Sequence, residues 1–99
     1  MVNDYTDIDY RFNEGDALAV AKQYINDTYD KHYAQGNIQA TEFIFDSGHG
    51  VGFCIGNIMK YAQLYGKKNG FDEADLLKIV NSAIMLLGQR IGNGEEDWH

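Results

Sequence analysis

The chain has 99 residues, with 15 Asp and Glu against 8 Lys and Arg, a formal net charge of −7, one Cys and no Pro. Its length closes one modest core, and its 44% apolar content suits a globular chain rather than a disordered one. The acidic balance argues against a protein that coats duplex DNA or anionic lipid, since both call for surplus Lys and Arg. Lone Cys54 allows no internal disulfide. No apolar run approaches the roughly 20 residues of a membrane span, and no basic segment leads into an apolar stretch at the start. The chain reads as soluble and cytoplasmic.

The charge is unevenly placed. Asp4, Asp7, Asp9, Glu14 and Asp16 oppose Arg11 alone near the start, and Glu95, Glu96 and Asp97 close the chain. Residues 17 to 94 are neutral. Within them, Ser47 to Phe71 contains no acid but holds His49, Lys60, Lys67 and Lys68, the one stretch whose local field favours an anion. An ordinary solvated face is the alternative reading of these lysines.

The apolar spacing predicts an all-α domain of about four helices over residues 15–92, between a partly ordered acidic arm (1–14) and an acidic tail (93–99). Tyr5, Ile8, Tyr10 and Phe12 can dock the arm on the body. A first helix runs from an N-cap at Asp16 to about Tyr33, with Leu18, Ala21, Ile25, Thr28 and Tyr29 near one face. After a turn at Gly36 and Asn37, a shorter helix spans about Ile38 to Asp46 with Ala40, Phe43 and Ile44 inward, and Gly48, Gly50 and Gly52 break it. The stretch DSGHGVG lacks the Gly-Lys-Ser or Gly-Lys-Thr ending of a phosphate loop and follows no strand.

In the third helix, Val51, Cys54, Ile55, Ile58, Met59, Ala62 and Tyr65 mark a core face, beside a mixed face of Phe53, Asn57, Lys60, Tyr61 and Leu64. Gly66 suits the left-handed position after a helix end. Asp72 caps the last helix, with Glu73 and Asp75 in its first turn. There Leu76, Leu77, Val80, Ala83, Ile84, Leu87 and Ile91 form a stripe widened by Ile79 and Leu86. So wide a stripe exceeds one small core and predicts either a central helix or a homo-oligomer that buries its second edge.

The segments HYAQGNIQATEFI, FCIGNIMKY, GKK and ADLLK, in that order over roughly residues 31 to 80, resemble a phage-borne family that includes the nucleotide kinase of short-tailed coliphages. That kinase phosphorylates deoxynucleoside monophosphates without a Walker motif, and most other members are domains of unknown function. The resemblance implies a nucleotide-binding protein in the cytoplasm of an infected bacterial cell, with ATP and Mg2+ as cofactors if it is a kinase. Family members carry an Arg between the Lys-Tyr and Gly-Lys pairs, where this chain has Leu64. A Leu cannot clamp a phosphate as a guanidinium does. This favours the alternative of a non-catalytic protein that sequesters a nucleotide; the wide stripe of the last helix and the acidic ends allow a further alternative, a protein that engages a host protein.

Phosphoryl transfer asks for cations on phosphate charge, a carboxylate for a metal ion and rigid positioning. Lys60, Lys67 and Glu42 are the candidate catalytic residues; Glu42 and Asp46, four apart, can hold magnesium through water or be a plain solvated pair. His32, Tyr33, Asn57, Tyr61 and Lys68 are the candidate nucleotide contacts. His32 can bond a phosphate or simply complement a helix end, and Tyr33 and Tyr61 can stack on a base or pack in the core. Asn57 next to Gly56 is unfavourable mid-helix, which points to a close approach there by a ligand or a backbone. Cys54 reads as an inert packed thiol. One Cys and three His give no metal-cluster spacing. The expected partners are a small nucleotide and a second copy met through the last helix, not duplex nucleic acid or membrane.

Overall fold

Four helices follow one another: α1 (Glu14–Ala34), α2 (Asn37–Asp46), α3 (Gly50–Leu64) and α4 (Glu73–Gly92). The computed structural model describes residues 8–92 except Lys68, and only the backbone of residues 32–34. Among the described residues there is no strand, and none of the helices is long and apolar enough to cross a membrane.

Each helix boundary has a local cause. Helix α1 begins two residues earlier than the predicted Asp16 cap. Asn13 takes a left-handed φ of 59°, its carbonyl accepts from the Ala17 N–H at 2.9 Å, and Glu14 Oε1 accepts from the Phe12 N–H at 3.0 Å. Asp16 therefore sits in the first turn, where the helix dipole still favours it.

The left-handed Gly36 (φ 77°) separates α1 from α2. At the far end of α2, the Gly48 N–H bonds to the Phe45 carbonyl and the His49 N–H to the Ile44 carbonyl, both at 3.0 Å, with Gly48 at φ 89°. This is a Schellman closure, and it shows that Gly48 alone ends α2. The expectation that Gly50 and Gly52 also break the chain is corrected, because both lie in the first turn of α3. Gly66 (φ 84°) follows α3 as predicted. In the α3–α4 connection the Tyr65 and Phe71 rings meet edge to face at 5.3 Å. Asp72 Oδ1 then accepts the Ala74 N–H at 3.0 Å and caps α4.

Helices α3 and α4 pack most extensively, α1 and α2 more lightly against this pair and each other. Three of the predicted faces are corrected by this arrangement. On α2 the inward line is Ile38, Thr41, Ile44 and Phe45, whereas Ala40 is exposed and Phe43 is 72% exposed. On α3 the inner side carries Phe53, Cys54, Asn57, Ile58, Tyr61, Leu64 and Tyr65, while Val51, Ile55, Met59 and Ala62 are exposed. The α3 stripe is broader than the groove it meets, and the neighbours select the edge next to Cys54. On α4, Leu77, Ile79 and Leu86 are half-buried, but Leu76, Val80, Ala83, Ile84, Leu87 and Ile91 are exposed.

Among the described residues the buried apolar side chains are Ala21 and Cys54, and the buried polar ones Asp75 and Ser82. In the arm, the Tyr10 ring lies against Gly15 and Phe12 is 80% exposed; Tyr5 falls outside the described residues.

Candidate functional site

The acid-free stretch comes to a focus at Tyr61. Helix periodicity places Asn57 one turn before Tyr61 and Lys60 beside it. The antiparallel return of α4 then brings Lys78 across from α3. Lys60 Nζ lies 5.2 Å from the Tyr61 ring centroid and Lys78 Nζ 4.9 Å. Two ammonium groups thus share one half-buried ring, each within the range of a cation–π contact worth about 0.5–2 kcal/mol. Among the described residues, neither ammonium has a carboxylate partner. Lys67 is exposed just past the end of α3, its N–H bonded to the Leu64 carbonyl at 2.9 Å. Asn57 is half-buried and Gly56 exposed.

Asp75 stands one turn before Lys78 on α4. It is 7% exposed, and among the described residues its carboxylate makes no hydrogen bond. Its place in the first turn gives the negative charge the favourable end of the helix dipole.

Glu42 lies elsewhere. A cleft of about 690 Å3 opens between α1, α2 and α4, lined by the polar Thr28, Tyr29, Asn37, Thr41, Asn81 and Gln89 and by the apolar Ile25, Ile38, Phe45, Ile84 and Met85. Glu42 and Asp46 both line it, so the expectation that they share a face holds. No Lys or Arg lines it, nor do Asn57, Tyr61 or Lys67. Two acids without a base disfavour an anion there.

The candidates therefore divide into a cationic cluster of Asn57, Lys60 and Tyr61 on α3 and a mildly acidic cleft holding Glu42. His32 and Tyr33 lie in α1, but their side chains are outside the described residues, as is Lys68. Lys78 was assigned no role from the sequence. Its nearness to Tyr61 depends on the register between α3 and α4, which helical periodicity within either element does not contain. The available signal was its place at the end of the ADLLK segment.

A family model described as a protein of unknown function (DUF3310) matches residues 25–83. The match covers more than half the chain, and the chain belongs to that family. It spans α2, α3, the Tyr61 cluster and the first half of α4. No curated protein and no solved structure matches.

Proposed function

We propose that this DUF3310 protein binds a nucleotide, its phosphate held by Lys60 and Lys78 and its base set against Tyr61, with Asn57 reading a base edge. The observation that carries this reading is the pair of ammonium groups on the Tyr61 ring, Lys60 from the acid-free stretch and Lys78 from α4, without acid partners among the described residues. A phosphate supplies the counter-charge that the two cations lack, and stacking on the ring adds about 1–3 kcal/mol. The resemblance to the phage-borne family of the coliphage nucleotide kinase gives the ligand class and the setting, the cytoplasm of an infected bacterial cell.

A second reading, binding without turnover, is favoured by a specific observation. Glu42, the candidate metal-holding carboxylate, lines the α1–α2–α4 cleft, whose lining includes neither Lys60 nor Lys67, and Leu64 stands near the place of the family Arg. In the kinase reading, ATP and Mg2+ would have to bridge the cluster and that cleft. In the sequestering reading the cluster suffices.

Calorimetric titration with deoxynucleoside mono- and triphosphates tests binding. Heat is expected with at least one nucleotide, and Lys60→Ala and Lys78→Ala are each expected to weaken it at least tenfold. No heat with any nucleotide, or full affinity in both variants, overturns the reading. ADP release from ATP, Mg2+ and each deoxynucleoside monophosphate separates the two versions: release requires turnover, and binding without release leaves the sequestering protein.

A further inference from the structure

The Tyr61 cluster faces one flank of the α3–α4 pair, and the opposite flank is apolar and uncovered among the described residues. At 100° per residue, Val51, Ile55 and Met59 form a line on α3 well away from Lys60. On α4, Leu76, Val80 and Leu87 lie on the side opposite buried Ser82. The antiparallel pairing that sets Lys78 over Tyr61 and Leu86 near Val51 turns the two lines toward a common side and places Met59 level with Val80.

We propose that this face is closed by a second copy of the chain, so that the α3–α4 hairpins of two copies form a four-helix bundle. Three observations favour a second copy over a foreign partner. The first is size. Leaving out Ile84, which lines the α1–α2–α4 cleft, seven aliphatic side chains on α3 and α4 are between 36% and 66% exposed. Together they leave on the order of 600 Å2 of apolar surface, at the top of what a monomer shows in one patch and close to the roughly 800 Å2 each partner brings to a stable interface.

The second is the thinness of the core. Only Ala21 and Cys54 are buried apolar side chains among the described residues, so the face is needed whenever the chain is folded. A copy of the chain is the one partner always present with it. The third is composition: both lines are free of charge, so a two-fold, self-complementary pairing sets no like charges against each other. Stripes of this kind on two antiparallel helices are half of the core that a four-helix bundle requires.

This inference does not rest on nucleotide binding, and its test is separate. Sedimentation equilibrium of the whole chain across the micromolar range is expected to give twice 11.2 kDa, with helical circular dichroism falling as dilution separates the copies. Met59→Lys, at a 66% exposed position, and Val80→Lys are each expected to weaken association at least tenfold, whereas Lys60→Ala on the opposite flank leaves it unchanged. If Val80→Lys fails to fold, Met59→Lys decides. A native chain that stays monomeric and helical at every concentration overturns the proposal and leaves the face to another protein. A dimer indifferent to Met59→Lys also overturns it, because the copies then meet elsewhere.

Discussion

Gly56 lies in the middle of α3, where glycine is a poor choice for the helix, and the structure turns that oddity into a measurable difference. A Cβ built at Gly56 meets nothing within 4 Å, and the residue is exposed. Replacing it with Ala therefore adds no clash and recovers the helix propensity that Gly forfeits, about 0.8–1 kcal/mol. For a domain of this size that corresponds to a rise in Tm of roughly 4–8 °C. The assay is thermal unfolding followed by circular dichroism, at fixed protein concentration because association also shifts Tm.

The same variant has a second readout. Gly56 is one turn before Lys60, so in the proposed nucleotide reading a phosphate drawn to that ammonium would pass close to the bare backbone. Gly56→Ala is expected to weaken nucleotide binding while raising Tm. A fall in Tm would refute the reasoning about open space. Raised Tm with unchanged affinity would mean that the ligand does not approach α3 along this flank.

Gly50 presents the opposite case six residues earlier. Its Cβ would run into the Phe45 ring, so Gly50→Ala is expected to cost about 1–3 kcal/mol, read as a lower urea midpoint at unchanged slope. Leu in place of Phe45 should recover part of the loss. Cys54 is fully buried, and burial pushes its thiol pKa up from the ordinary value. A group whose pKa is raised on folding contributes stability that is complete below its unfolded pKa, about 8.5, and is lost as pH rises through the higher folded value. Urea unfolding should therefore show stability falling above about pH 8.5, by more in the native protein than in Cys54→Ala. Parallel curves would place the alkaline loss on other groups.

The residues declare the helices themselves. Without proline, with Asp72 before an acidic first turn and glycines at 36, 48 and 66, the chain has few ways to end a helix, and those ends are local hydrogen-bond events that a short sequence window contains. Gly50 and Gly52 misled because a glycine is equally able to stop a helix or to let a ring lie on one. Only the position of Phe45 tells which. The acid-free stretch was likewise legible, since charge along a chain is a local property.

Which side of each helix faces in was not legible. The stripes on α3 and α4 are wider than one contact, so periodicity identifies apolar surface without saying which half meets the neighbouring helix. Packing chose the edge with Cys54 and Ser82 and left Met59 and Val80 outside. The register between α3 and α4 is in the same class. It brings Lys78 to Tyr61, and it arises from contacts between residues far apart in the chain. The amino-acid sequence by itself determined four helices, the Asp72 cap and a locally cationic segment, because these depend on neighbours within a turn or two. The tertiary structure alone decided which lysine joins the tyrosine and which apolar face is left uncovered, because both depend on how one helix is rotated and shifted against another.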